Sequence, residues 1–236
     1  MGRISPLALR GQGARRPERV AAALSGGRMR TRVYIDGFNL YYGCLKGTPA
    51  KWLNPALLCD NLLPRNTIEA VRYFTATVSS RPSDPDQATR QQTYLRALAT
   101  EPRISVHLGH FLTHEVAMPD AAAWQRGRYV RRRVVKTEEK GSDVNLATML
   151  LIDAFDDLFD CAVLVSNDSD LKEPLSIVRN RFGKTIGILN PQRHVSRALL
   201  PIANFVKPIR YSALNAAQFP PQMTDATGSF TKPTRW

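Results

Sequence analysis

Short runs of β-branched and aromatic residues alternate with helix-like stretches, and this alternation constrains the chain more than any other feature. Arg32–Asp36 (RVYID), Ala70–Val78 (AVRYFTATV), Ile104–Leu112, Ala162–Val165 and Thr185–Leu189 read as strands. Asn54–Leu63, Asp84–Ala99, Ser142–Phe155 and Leu171–Phe182 read as helices. The clearest helix is Ser142–Phe155, where Val144, Ala147, Leu150, Leu151 and Ala154 fall on one stripe of a 3.6-residue period. Ala162–Val165 is continuously apolar, as strands buried on both faces are. Arg128–Val135 is β-prone, Val195–Ile202 suggests a short helix, and Phe205–Ile209 a last strand. Such an order implies an α/β fold, a parallel sheet with helices on both faces. Ligands then bind beyond the carboxyl ends of the strands.

The chain of 236 residues suits one such domain, expected over 29–210, with 211–236 as a C-terminal tail. Residues 1–28 carry no hydrophobic period and no apolar core of a secretory signal. They are expected to be a disordered basic extension: a start-site artefact, since Met29 stands just before the first strand, or a transit-like arm. The net charge of +13 divides unevenly, because residues 1–32 hold eight arginines against one acid while the rest hold 25 basic and 19 acidic residues. A basic surface favours nucleic acid through phosphate contacts, although arginine-rich composition also follows from a GC-rich genome. Cys44, Cys59 and Cys161 are odd in number and scattered, which argues against a disulfide framework or a zinc site and suits a reducing cytoplasm. No apolar run is long enough to span a bilayer, so no membrane partner is expected. A homodimer is compatible with the sequence.

The polar residues that follow the strands carry the chemistry. Asp36 closes the first strand in YIDGFN, with Asn39 behind it. Asp168 and Asp170 follow Ala162–Val165 in SNDSD, and Asp143 opens a helix in KGSDV. Three segments thus bring carboxylates to one sheet edge, where mutual repulsion makes them costly without a cation. Hard oxygen ligands that leave room for water suit Mg²⁺ or Mn²⁺. An ion so held can generate hydroxide and neutralise charge on a phosphoryl oxygen. Taken singly, each piece has another reading. SNDSD makes a turn and cap, with Asp170 three residues before Glu173. Asp143 makes a favourable charge at a helix N-terminus.

In this order YIDGFNLYYG, KGSDVNLA and VLVSNDSDL resemble the NYN domain family, relatives of PIN and FLAP nucleases, over roughly residues 31–190. The resemblance implies a PIN-like three-layer α/β/α fold with a central, mainly parallel sheet. It also implies Mg²⁺ or Mn²⁺ on acidic residues and hydrolysis of RNA phosphodiester bonds to 5′-phosphate and 3′-hydroxyl ends. By it, Asp36, Asp143, Asp168 and Asp170 are metal ligands, Asn39 is their catalytic polar partner, and Ser166 is the serine of the third motif. Many relatives carry a further Asp where this chain has Met149; Asp153 lies off the Asp143 face and reads as structural.

For substrate, Lys140 and Ser142 flank Asp143, Ser166 flanks the acidic pair, and RGRYVRRRVVK offers Arg128, Arg131, Arg132 and Arg133 around Tyr129. Arginine grips phosphate and stacks on bases; the alternative is a solvated, charged hairpin. RNA is the expected partner, with DNA less favoured because no arch or helix-hairpin-helix segment is visible. The rival reading is a non-catalytic RNA-binding or regulatory protein that keeps the fold. Nucleotide-binding modules are disfavoured, since neither GxxxxGK[ST] nor GxGxxG occurs. His107, His110 and His114 sit in a strand-like pattern and are not expected to converge.

Overall fold

The computed structural model describes residues 28–234; the basic extension over 1–27 and the last two residues of KPTRW lie outside the described residues. Strands β1 (Met29–Asp36), β2 (Asn66–Ala76), β3 (Ile104–Pro119), β4 (Arg131–Lys140), β5 (Cys161–Val165), β6 (Thr185–Asn190) and β7 (Phe205–Pro208) form one seven-stranded sheet, ordered β4-β3-β2-β1-β5-β6-β7. All neighbours are parallel except β3 and β4. From β1 the chain winds outward through β2 and β3, then returns to the other side of β1 as β5. The winding therefore reverses between β1 and β5, and a crevice opens at the carboxyl ends where such a reversal occurs. Asp36 and Asp168 flank it.

Strict alternation along β1 explains the three layers. Val33 and Ile35 face one way, Tyr34 the other, and all are buried. On the first face pack α1 (Gly37–Leu40), which runs on as a wider turn over Tyr41–Leu45, with α2 (Pro55–Leu62) and α3 (Gln87–Ala99), burying Leu40, Leu58, Cys59, Tyr94 and Leu98. Against the second face lie α5 (Ser142–Phe155) and α6 (Lys172–Asn180), burying Leu146, Leu150, Leu175 and Val178 with Tyr34, Phe74 and Leu164. A short α4 (Ala121–Gln125) joins β3 to β4. No described helix is long and apolar enough to cross a membrane.

The structure departs from the sequence reading in three places. First, β3 does not stop at Leu112. It pairs with β2 as far as Gly109, then with β4 from His110 to Pro119, making an antiparallel arm that projects past the carboxyl edge. The arm is about 30 Å long at about 3.4 Å per residue. Both of its faces are largely solvated, so no polar–apolar alternation marks it. Second, Val195–Ile202 forms successive turns rather than a helix, with Leu199 and Leu200 both donating to the Ser196 carbonyl. Pro201 lacks an amide donor and disfavours helical Leu200. Third, the segment from 211 on extends the same core. Helix α7 (Tyr211–Ala216) and the hairpin β8 (Gln222–Asp225) with β9 (Gly228–Thr231) bring Leu214, Phe219 and Phe230 into the first cluster. Trp52, fully buried, donates its indole N–H to the Pro220 carbonyl at 2.8 Å.

Candidate metal centre

Asp36 ends β1 with extended backbone and caps the helical turn behind it, its Oδ1 accepting the Asn39 amide at 2.9 Å. Gly37 is needed there because a Cβ would lie 2.8 Å from the Phe74 carbonyl oxygen. Asp168 repeats the device after β5, its Oδ1 accepting the Asp170 amide at 3.0 Å. Ser166 joins the two, its Oγ donating to Asp36 Oδ2 and accepting from the Asp168 amide, both at 3.1 Å. A carboxylate has about four acceptor sites, so capping leaves lone pairs for an ion. The turn-and-cap reading of SNDSD is correct for Asp168 and does not compete with ligation.

Asp143 arrives from the second face, in the first turn of α5. Gly141 at φ +97° reverses the chain between β4 and the helix, and Glu139 holds Ser142 at both amide (3.1 Å) and hydroxyl (2.8 Å). One ligand oxygen from each of Asp36, Asp143 and Asp168 then lies within 4.8 Å of the others. Burial pushes the Asp36 carboxyl above the ordinary range; the Asn39 amide and the Ser166 hydroxyl pull it back, and Asp168 pushes it up again. Solvent reaches Asp143, yet desolvation by the cleft wall, followed by the charges of Asp36, Asp168, Glu139 and Asp170, lifts it to about 6. An all-oxygen, mutually repelling set of this kind fits a hard divalent cation.

Not every expected residue joins the group. Asp170 is exposed in the 3₁₀ turn Ser169–Leu171 and is felt by Asp143 only as a more distant charge. The Asn39 side-chain oxygen accepts from the Asn167 amide (3.1 Å) and the Gln192 side chain (3.2 Å), tying three loops together. Ser166, expected at the substrate, is 0% exposed and bonded on both sides. Ser142, also expected at the substrate, is buried and engaged by Glu139. Lys140 is exposed, 3.6 Å from Glu138. Arg131, Arg132 and Arg133 lie on the arm, and Arg128 precedes it. The three histidines do not converge: His107 stacks on Phe74, while His110 and His114 point to the opposite face of β3. Met149 packs partly buried on the second core cluster.

Sequence reasoning missed Glu139, Asn167 and Gln192. Glu139 had a legible signal, an acid three residues before a helix-opening Ser; the amide side chains had none, because their partners are distant in sequence.

The NYN domain family model matches residues 30–208. A 6-hydroxy-3-succinoylpyridine 3-monooxygenase of Pseudomonas putida (strain DSM 28022 / S16) is 31% identical over 240 aligned positions, covering 88% of this chain and 75% of that protein. Among solved structures, a protein of unknown function from Vibrio parahaemolyticus RIMD 2210633 matches with a TM-score of 0.53 at 18% identity, covering 78% of this chain and 94% of that one, a likeness of fold.

Proposed function

This chain belongs to the NYN domain family, and on that premise we propose that it is a Mg²⁺- or Mn²⁺-dependent endoribonuclease. The observation that carries the reading is the approach of Asp36, Asp143 and Asp168 to within 4.8 Å at the reversal point of the sheet. Those three would hold the ion. When bound, it would supply a hydroxide nucleophile near neutral pH and charge neutralisation at the phosphoryl group. Asp36 is the buried anchor, fixed by Asn39 and Ser166. Asp143, the exposed member of the three, would complete the ion's shell or orient an attacking water. Asp170 stands outside the three and orients water or a cation entering the cleft. Asn39 holds the neighbouring loops in register. Arg128, Arg131, Arg132, Arg133 and Lys140 would meet RNA phosphates along the arm, with Tyr129 and Trp124, both exposed, as stacking faces.

The relative from Pseudomonas putida supports a second reading, monooxygenation of a succinoyl-substituted hydroxypyridine. That chemistry needs a two-electron donor, and the chain carries no GxGxxG dinucleotide loop. The three-carboxylate set favours the hydrolytic reading.

The test is incubation of the purified full chain with labelled single-stranded and hairpin RNA in Mn²⁺, Mg²⁺ or EDTA, beside Asp36→Asn. Cleavage that requires metal and vanishes in the variant establishes the nuclease. Retained cleavage in a clean Asp36→Asn preparation would sink the assignment. RNA binding without cleavage in either metal would favour the regulatory alternative. Oxygen uptake with 6-hydroxy-3-succinoylpyridine and reduced nicotinamide would favour the second reading.

A further inference from the structure

Within the arginine run that dominates the sequence, Arg131, Arg132, Arg133 and Lys136 are engaged within the arm itself. Arg132 Nε lies 2.5 Å from Asp120, Arg133 pairs with Glu115, Lys136 lies 2.7 Å from Glu138, and Arg131 donates to the Ala117 carbonyl at 2.8 Å. A second basic segment lies on the other side of the acidic cluster, in the loop after β6. Arg193 and Arg197 are exposed there and make no hydrogen bond or ion pair among the described residues.

The loop backbone that carries them is fixed to the site. Asn190, buried at the end of β6, donates to the Gln192 carbonyl at 2.7 Å and accepts its amide at 3.2 Å. Gln192 donates to the Asn39 side chain at 3.2 Å. Asn167 donates to the Gln192 side chain (3.1 Å) and the His194 carbonyl (2.9 Å), and accepts the Ser196 amide at 2.6 Å. Asn39 and Asn167 are close neighbours of Asp36 and Asp168, so the same hydrogen bonds set both the acidic cluster and the loop. In the sheet order, β6 and the β3–β4 arm lie on opposite sides of β1 and β5.

We propose that Arg193 and Arg197 form the principal phosphate-holding wall of the site, and that Asn167 positions it. An RNA strand would then cross the carboxyl edge from the arm, over the three carboxylates, to this loop. Arginine suits the task because its planar fork meets phosphate oxygens at two points. Two unpaired guanidiniums need not break ion pairs to do so. The inference rests on the ribonuclease reading, and the experiment separates the two.

The full chain, the Arg193→Ala/Arg197→Ala double variant, the Arg131→Ala/Arg132→Ala/Arg133→Ala triple variant and Asn167→Ala are compared on a fluorescein-labelled single-stranded RNA. Cleavage gives kcat and KM; anisotropy in the Asp36→Asn background gives affinity against salt. The double variant should raise KM and weaken binding about ten-fold or more. Its log–log salt slope should flatten by about 0.7 per lost phosphate contact. The triple variant should change less. Asn167→Ala should raise KM and flatten the salt slope in the same direction as the double variant although no charge is removed, because the guanidiniums it positions lose their phosphate contacts. An active wild type whose KM and salt slope are untouched in the double variant overturns the wall and leaves the nuclease standing. A wild type that neither binds nor cleaves RNA overturns both.

Discussion

Asp153 and Arg72 meet in a two-point ion pair, Nε to Oδ2 and Nη2 to Oδ1 both at 2.7 Å, between α5 and the underside of β2. Arg32 reaches the same carboxylate at 3.1 Å and Tyr34 donates its hydroxyl at 2.8 Å. With its side chain 2% exposed, Asp153 pins α5 to the sheet, and through α5 it sets where Asp143 stands. It lies outside the ligand group, as its angular distance from Asp143 along the helix requires. Burial alone would raise its carboxyl, but Arg72, Tyr34 and Arg32 hold it below the usual range. Its stabilising contribution is therefore present above the unfolded value near pH 3.9 and lost as pH falls through the folded one. Asp153→Ala strands two guanidiniums and should cost about 3–5 kcal/mol, read from urea denaturation. Unchanged stability would refute the anchor.

Asp143 should couple stability to pH in the opposite sense. A carboxyl lifted to about 6 binds protons more tightly when folded. Its favourable contribution is complete below the unfolded value near 3.9 and disappears as pH rises through about 6. The thermal midpoint of metal-free protein should decline from pH 5 to 7. Added Mn²⁺ should raise that midpoint more at pH 7.5 than at 5.5, because ion and proton compete. Asp143→Asn should flatten both trends; a wild-type Mn²⁺ shift larger at the lower pH would remove Asp143 from the ligand set.

Ser166→Ala deletes the hydroxyl that bridges Asp36 Oδ2 and the Asp168 amide. Supporting hydrogen bonds of this kind are worth about 10–100-fold in metal affinity. Isothermal titration with Mn²⁺ should show at least a ten-fold loss on that scale, with the secondary structure intact by circular dichroism. Wild-type affinity would show that Asp36 is held without it.

Gly109→Ala tests the join between β3 and the start of α5. An added Cβ would collide with Glu139 Oε1 and lie 2.6 Å from the Lys140 carbonyl oxygen. Overpacking of this order costs about 1–3 kcal/mol, and the displaced Glu139 would release Ser142. A lowered thermal midpoint together with weaker Mn²⁺ binding is expected; a change in neither would show that the segment simply yields.

Much of this protein could be read along the chain. Tyr34 between Val33 and Ile35, and the uninterrupted apolar run of β5, fix a buried parallel sheet, because side-chain alternation and burial are local consequences of strand geometry. Asp36 and Asp168 were legible because one ends a strand and the other stands in the turn after one, positions at the carboxyl edge of a doubly wound sheet, and Asp143 because it opens a helix. Tertiary structure alone decided the rest. Asp170, two residues from Asp168, stays outside the group because a 3₁₀ turn carries it into solvent. Ser166 became a bridge because β1 and β5 are neighbours, a pairing of residues 130 positions apart. Phe219 and Phe230 entered the core although their local sequence resembles a tail. Arg132 and Arg133 of the prominent arginine run found acidic partners across the arm, while Arg193 and Arg197, inconspicuous in sequence, lie exposed in a loop that Asn39 and Asn167 hold through Gln192, His194 and Ser196. Composition reveals how many charges a segment carries; only the fold determines which of them remain unpaired.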